Sequence, residues 1–408
     1  MGEMSEGREL HPYGVPIACF WLVFLAASSL RVTLTSLGPV MNDIALGLDL
    51  SSAVVSFLVT IPIICMGIFA LAAAPLSNRF GMERVITMSL LLIAISTITR
   101  SYFESSFLLF FSSFLMGIGI AIAGPLLSGY VKHYFKKRSN VGMIFYTFGI
   151  SISGVLGSLS SSILNQYLGW DWTVTLEFWA LPILVISGIW AAFYLFKTGE
   201  SAALSAQKAK MPWKEPRAWM LVACFGLQSG LFYTNVAWLL PFLIEKGVSS
   251  FHANALLNLS IFNGLIGGFV VPIIVIRMGL RFTSISAISI VIVAATGLLL
   301  SGNNVIFLYI VVAILGCLVS SGLFAIAMLL PFSEVDDGNS VASWTAMMLF
   351  GGYCFAAFIP TLLGLLYDFT GTYDTIFVGY VLNACALLVV FLFFFRKKKP
   401  TNCEKSAH

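Results

Sequence analysis

Charged residues are scarce in this chain. Of its 408 residues only 10% are charged, whereas 59% are hydrophobic. A soluble domain averages about 25% charged and about 45–50% apolar residues. Because so few charges cannot cover a water-soluble fold, we expect the chain to lie in a lipid bilayer. The net charge of +4 comes from basic residues in a few short segments, which indicates membrane orientation and no nucleic-acid partner.

Motifs for catalysis and for metal binding are also missing. None of the seven cysteines belongs to a CxxC pair, which excludes a metal site or disulfide framework of the usual kind. The patterns GxxxxGK[ST], HExxH and GxSxG do not occur. We therefore expect no enzyme, no metal and no cofactor, and the polar segments are too short for the nucleotide domain of an ATP-driven pump.

Acidic residues and histidines are absent from the depths of the long apolar runs. Glu177 comes nearest, a few residues inside one run. Proton-coupled carriers usually hold such a group within the membrane. A dedicated proton site is therefore either Glu177 or missing, and exchange, facilitated diffusion and symport of a protonated substrate stay open.

Long apolar runs dominate the rest of the sequence. A helix needs about 20 apolar residues to cross a bilayer. We predict twelve such helices in the plasma or inner membrane of the cell, with both termini in the cytoplasm. The predicted spans are Val15–Val40, Ala53–Leu76, Val85–Ile98, Phe107–Val131, Val141–Leu164, Thr173–Phe196, Trp219–Ile244, Ala255–Ile276, Phe282–Leu300, Val305–Leu330, Val341–Leu366 and Thr375–Phe395.

Basic residues support this topology. Of the 22 Lys and Arg residues, only Arg100 and Lys246 fall in the predicted outer loops, and Arg31 lies within the first span. This bias is the positive-inside pattern. The inner loop 331–339 is an exception because it carries acids and no base. We expect Arg100, at the end of the third span, to direct its side chain outward to the interface.

A polar segment in the middle divides the chain into two halves. The predicted organisation is a six-helix bundle at 1–196, a cytoplasmic linker at 197–218, and a second bundle with a basic tail at 219–408. The halves share a local signature: Arg79, Gly81 and Arg84 follow the second span, and Arg277 and Gly279 follow the eighth. An internal repeat of this kind predicts two pseudo-symmetric bundles.

The segment 74–84 resembles the loop between helices two and three of the major facilitator superfamily. Leu76, Arg79 and Gly81 match the usual motif, and Asn78 replaces its aspartate. The resemblance implies the major facilitator fold, with a central cavity open alternately to each side. The five signature positions of the two halves would then act in the conformational change.

Further segments resemble the cyanate permease and 2-nitroimidazole transporter family. That resemblance implies transport of small polar or anionic organic molecules. The segments are Leu30–Thr33, Arg79–Arg84, Gly169–Trp172, Pro216–Trp219 and Trp238–Pro241.

Among the charged residues, only Arg31 lies well inside a predicted span. Placing an arginine at the centre of a transmembrane helix costs about 2.5–3.5 kcal/mol of free energy on membrane-insertion scales. It should therefore face a wet cavity or a partner, and Thr35 lies on the same helical face. A guanidinium fork suits a carboxylate or nitro group. The alternatives are that Arg31 reaches the outer interface or pairs with Asp43 or Glu177.

Helix seven is the repeat partner of helix one and offers further polar residues. Gln228 and Asn235 share a face, and Tyr233 lies beside them. They either bind substrate or form hydrogen bonds between helices. Asn258 is the weaker binding candidate, and Tyr146 either stacks on a planar substrate or packs.

The sequence thus predicts a monomeric secondary or facilitative transporter of a small polar or anionic organic solute. Its partners would be the solute and the lipid bilayer. An exporter of drugs or nitro-heterocyclic compounds on the same fold is the alternative, and the direction of transport stays open.

Overall fold

The protein is helical throughout the part that the structure describes. A computed structural model describes residues 17–50, 52–102, 105–197, 210–302 and 304–396, and no strand occurs within these ranges. Both termini and most of the predicted linker 197–218 lie outside them. The topological prediction for the termini and the exact domain boundaries therefore stay predictions.

Sixteen helices follow one another in the described ranges. The first half of the chain contributes α1 to α9 and the second half α10 to α16. They are α1 (Ile17–Thr35), α2 (Met41–Gly47), α3 (Ser52–Ile68), α4 (Ala73–Phe80), α5 (Met82–Tyr102), α6 (Ser106–Phe135), α7 (Ser139–Ser162), α8 (Trp172–Glu177), α9 (Ala180–Lys197), α10 (Pro216–Glu245), α11 (Ser250–Met278), α12 (Leu280–Leu300), α13 (Val305–Leu315), α14 (Leu323–Leu329), α15 (Gly338–Thr370) and α16 (Tyr373–Arg396).

Several predicted spans are built from more than one helical segment. A 3-10 turn at Phe69–Ala72 joins α3 to α4, and a π-helical segment at Gly316–Gly322 joins α13 to α14. In the described ranges, 11 helical stretches are long and apolar enough to cross a membrane. The predicted span Val341–Leu366 lies within α15, which is not one of these stretches, so the count of twelve stays a prediction.

Two glycines end equivalent helices in the two halves with the same backbone conformation. Gly81 ends α4 with φ 87° and ψ 146°, and Gly279 ends α11 with φ 83° and ψ 152°. Positive φ is unfavourable for residues with a Cβ atom, so glycine is required at both turns. The local signature that the two halves share therefore has the same backbone conformation at both glycines, and the division into two pseudo-symmetric bundles stays a prediction.

Contacts between helix ends define the two sides of the bundle. On one side, Arg217 at the start of α10 binds Glu334 and the carbonyl of Phe394 near the end of α16. On the other, Lys246 after α10 binds Asp374 in the first turn of α16 at 2.8 Å. We call the first the basic side, because the predicted basic loops lie there, and the second the opposite side.

The acidic segment 331–339, which departs from the basic pattern, is held by specific bonds on the basic side. Both carboxylate oxygens of Glu334 accept from Nη1 of Arg217, at 2.5 and 2.7 Å. Asp337 caps α15 by accepting from the Ser340 amide at 2.9 Å. Asp336 lies 3.9 Å from Lys132. Glu334 therefore stabilises the loop and Asp337 the start of α15, whereas Asp336 lies exposed.

Arg100 does not reach outward as we predicted. Its helix, α5, continues to Tyr102, but its side chain is only 1% exposed. It donates hydrogen bonds to the carbonyl of Thr33 and to the hydroxyls of Ser112 and Ser113. The prediction failed because the Thr33 acceptor lies 67 residues away in sequence, and the other two acceptors lie on the next helix, α6, which packs against α5.

Candidate functional site

A cavity of about 520 Å³ lies between the two halves of the chain. Helices α1, α3, α6 and α7 contribute from the first half, and α10, α11, α14 and α15 from the second. Arg31 is the one charged residue among the described lining residues. Polar groups of the lining are Arg31, Thr35, Tyr146, Ser158, Gln228, Ser229, Tyr233, Ser320 and Tyr353.

Arg31 projects from the last turns of α1 into this cavity. Its guanidinium carbon lies 5.4 Å from the ring centroid of Phe232, on α10 of the other half. Within the described ranges the guanidinium donates no hydrogen bond and forms no ion pair, so neither Asp43 nor Glu177 neutralises it. Its N–H donors are therefore available to a bound molecule.

Thr35 and Tyr146 also line the cavity, as part of the first half. The Thr35 hydroxyl donates within the helix end to the carbonyl of Arg31 at 3.2 Å, and lies 3.3 Å from the carbonyl of Ser153. The Tyr146 hydroxyl lies 3.5 Å from the carbonyl of Gly124. Thr35 thus joins α1 to α7 at the cavity wall.

Gln228 and Tyr233 line the cavity from α10. The Gln228 side-chain oxygen accepts from the Ser229 hydroxyl at 3.3 Å, which leaves its amide hydrogens as donors. Burial on a helix face requires such donors to find an acceptor in water or in a ligand. Arg31, Gln228 and Tyr233 together give the cavity an excess of donors over acceptors.

Asn235 and Asn258 do not belong to the cavity lining that the structure describes. Asn235 is buried and donates to the Ser260 hydroxyl at 2.8 Å, which joins α10 to α11. Asn258 is exposed on α11. The geometry thus gives Asn235 the contact of a residue that links helices.

Four polar lining residues did not emerge from the sequence: Ser158, Ser229, Ser320 and Tyr353. Tyr353 lies on α15, and Ser320 lies in the π-helical segment that precedes α14. Gly351 and Gly352 were the sequence feature that could have indicated Tyr353, because they let α15 approach α10 closely. A Cβ at Gly352 would lie 2.4 Å from the Phe225 ring. Nothing in the apolar sequence predicts the π segment.

The predicted conformational motif lies on the basic side, apart from the cavity. Arg79, Arg84 and Arg277 are exposed at the helix ends. Gly81 and Gly279 form the turns described above. These residues therefore lie at the surface of the basic side. Their role in a conformational change stays a prediction.

The basic end of the cavity is closed by contacts between the halves. The backbones of Gly129 on α6 and Gly338 on α15 touch, since a Cβ at Gly129 would lie 2.5 Å from the Gly338 carbonyl oxygen. The Thr147 hydroxyl donates to the carbonyl of Gly268 at 3.0 Å. Lys132 donates to the carbonyl of Phe332 at 3.1 Å. Access to the cavity is therefore blocked from this side.

No group of three or more His, Cys, Asp or Glu side chains capable of holding a metal ion occurs in the described part of the chain. The cavity lining provides a cation, amide and hydroxyl hydrogen-bond donors, and aromatic rings. The walls of the cavity come from both halves of the chain.

Comparisons with known proteins agree with this architecture. The family model of the Major Facilitator Superfamily matches residues 20–357. The cyanate transport protein CynX of Escherichia coli is 27% identical over 95% of this chain and 99% of its own length. The 2-nitroimidazole transporter of the same organism is 26% identical over 88% of this chain and 90% of its own length. A crystal structure of a variant of the E. coli fucose:proton symporter FucP superimposes with a TM-score of 0.71 at 13% identity, over 93% of this chain and 98% of that one.

The fold and the family match define a multi-pass membrane transporter and not an enzyme. The chain belongs to the Major Facilitator Superfamily, and its resemblance to the cyanate permease and 2-nitroimidazole transporters extends over most of its length.

Proposed function

We propose that the protein carries a small organic anion with a single negative charge across the cell membrane by alternating access. The main observation behind this proposal is the Arg31 guanidinium. It lines the cavity, its N–H groups bond no other described residue, and no acidic residue occurs among the described lining residues. An arginine fork binds a carboxylate through two parallel charge-assisted hydrogen bonds. One cation in a cavity with a mostly apolar lining favours one negative charge.

The rest of the lining supports a substrate with a planar or partly apolar body. Phe232, Tyr233, Phe324 and Tyr353 bring aromatic rings to the cavity, and its volume of about 520 Å³ falls in the usual range of about 300–1,000 Å³ for small-molecule sites. Aromatic faces bind planar groups by stacking. Gln228, Tyr233 and Asn235 were predicted to bind the substrate from the second half, and we retain Gln228 and Tyr233 in that role.

The contacts on the basic side support one state of a transport cycle, in which the cavity is closed toward that side. With the termini and basic loops in the cytoplasm, the cavity would open outward, because the contacts that close it involve Gly129, Gly338 and Lys132 on the basic side. We propose that the two halves then rock about the bound anion, with Arg31 on one half and Gln228 on the other. We propose a monomer in the plasma or inner membrane as the working unit.

Uptake into proteoliposomes tests this proposal. Purified protein would be reconstituted, and uptake of radiolabelled benzoate, cyanate and 2-nitroimidazole would be compared with that of an Arg31→Gln variant. We expect uptake of at least one of the two anions by the wild type and its loss in the variant. Uptake of 2-nitroimidazole alone, equal in both proteins, would contradict the proposal.

Export of a nitro-heterocyclic compound is the second candidate. It is favoured by the 26% identity to a 2-nitroimidazole transporter, and the two oxygens of a nitro group also fit the arginine fork. Cell growth separates the two directions. Deletion of an exporter sensitises cells to the compound, whereas deletion of an importer protects them.

A further inference from the structure

Arg100 is a buried cation that the proposed transport site does not use. It lies in the last turn of α5 and is 1% exposed. Its Nη1 donates to the Thr33 carbonyl at 3.2 Å, its Nη2 to the Ser113 hydroxyl at 2.9 Å, and its Nε to the Ser112 hydroxyl at 3.3 Å. One side chain therefore joins α5 to both α1 and α6.

The Thr33 carbonyl needs a partner because of its place in α1. The helix ends at Thr35, so the last four carbonyl groups have no amide donor within it. The Ser36 hydroxyl and Arg100 both donate to the Thr33 carbonyl. A cation at a helix C-terminus is also favoured by the helix dipole. Arg100 thus caps α1 from a neighbouring helix.

The capped residue lies almost directly behind Arg31. Successive residues of an α-helix are about 100° apart, so Thr33 and Arg31 point in directions about 200° apart. Thr33 faces the interior of the bundle, where it is 1% exposed, and Arg31 faces the cavity. A rotation of α1 about its axis that carries the Thr33 carbonyl away from Arg100 would turn Arg31 through the same angle.

On its other flank, this end of α1 is held by α7, through close packing and the hydrogen bond from the Thr35 hydroxyl to the Ser153 carbonyl. A Cβ at Gly157 would lie 2.4 Å from the Val32 carbonyl oxygen, so α7 supports one flank of α1 at very close range. Arg100 holds the flank that faces α5 and α6. A lysine at position 100 would keep the charge but could not bridge the three acceptors with a planar fork.

We propose that Arg100 is a positioning residue for Arg31: it caps the end of α1 and so holds the Arg31 fork toward the cavity. This inference rests on the proposed role of Arg31 as the anion anchor. Its test can nevertheless be made without a substrate, because the orientation of position 31 can be measured by itself.

The experiment measures the labelling of a cysteine at position 31. Arg31→Cys would be combined with Arg100→Gln or Arg100→Lys, and treated with a charged, membrane-impermeant methanethiosulfonate reagent. Peptide mass spectrometry would follow position 31 itself, so the native cysteines can stay. Ser158→Cys, on the cavity wall of α7, is the matched reporter. We expect Arg100→Gln to lower the labelling rate at position 31, relative to that at position 158, by roughly tenfold. Of the three bonds lost, the charge-assisted bond to the Thr33 carbonyl is the one that holds α1, and a shift of this size follows its loss.

Controls separate positioning from general stability. Ser112→Ala with Ser113→Ala removes two bonds of Arg100 and leaves the Thr33 cap, so the ratio should stay near that of the parent. Arg100→Lys should give an intermediate ratio and serves as the second variant if Arg100→Gln does not fold. An unchanged ratio in a monodisperse Arg100 variant overturns the inference. If the ratio changes but anion binding does not depend on Arg31, the proposed function is overturned, whereas the inference that Arg100 caps α1 still holds.

Discussion

The guanidinium of Arg31 lies over the ring of Phe232, 5.4 Å from its centroid. A cation of the first half and an aromatic ring of the second half therefore meet within the cavity. Such a pair contributes about 0.5–2 kcal/mol, more when water is excluded. A guanidinium in contact with a ring keeps its N–H groups as donors for an anion.

Phe232→Leu should weaken anion binding by roughly three- to tenfold, because it removes the ring that orients the guanidinium. Phe232→Tyr keeps the aromatic face and should bind like the wild type. The measurement is the concentration dependence of anion uptake into proteoliposomes. Equal affinities for the leucine and tyrosine variants would show that the ring has no role in orienting Arg31.

Gly129→Ala should shift the protein away from the state closed on the basic side. The added Cβ would lie 2.5 Å from the Gly338 carbonyl oxygen, closer than packed atoms can approach. Spin labels at the exposed positions Phe80 and Met278 would report the separation of the two halves by double electron–electron resonance, and the variant should show a larger population at long distance.

Gly188→Ala is the matched control for that experiment. Nothing lies within 4 Å of a Cβ at this position of α9, and alanine favours a helix. Its distance distribution should match that of the parent. A Gly129→Ala distribution equal to that of Gly188→Ala would mean that the Gly129 and Gly338 contact does not control closure.

Glu334→Gln should destabilise the second half of the protein. The Glu334 side chain is 8% exposed, and both of its carboxylate oxygens accept from Nη1 of Arg217. Arg217 would keep its bond to the Phe394 carbonyl, so loss of the ion pair should cost about 1.5–3 kcal/mol, the range for hydrogen bonds to charged groups. The thermal midpoint of purified protein should fall by several degrees.

Asp336→Asn provides the contrast on the same loop. Its carboxylate is exposed and lies 3.9 Å from Lys132, and exposed pairs contribute only about 0–1 kcal/mol. The midpoint should therefore stay close to that of the wild type. If the two variants melt alike, the Arg217 and Glu334 pair is not a main support of the loop.

The general architecture could be predicted because it follows from repeated local signals. Apolar length marks the spans, and the recurring Gly81 and Gly279 mark two equivalent turns. The cavity position of Arg31 was predictable in the same way, since an unpaired cation within a span needs water or a partner.

Other parts depended on contacts that the sequence does not encode locally. The predicted outward direction of Arg100 ignored the carbonyl of Thr33, which lies 67 residues earlier and accepts its hydrogen bond. Asn235 offers the same amide chemistry as Gln228, yet it meets Ser260. Their different surroundings follow from the packing of α10 against α11, and not from residue type.

Thermal stabilisation of the purified protein tests the central claim, that Arg31 anchors a monoanion, most directly. Wild type and Arg31→Lys would be melted with sodium benzoate, sodium cyanate and 2-nitroimidazole, against sodium chloride at the same ionic strength. We expect an anion to raise the midpoint of the wild type, and Arg31→Lys to need roughly tenfold more of it, because the lysine lacks the fork. Equal stabilisation of both proteins by the anions, or stabilisation by 2-nitroimidazole alone, would contradict the account.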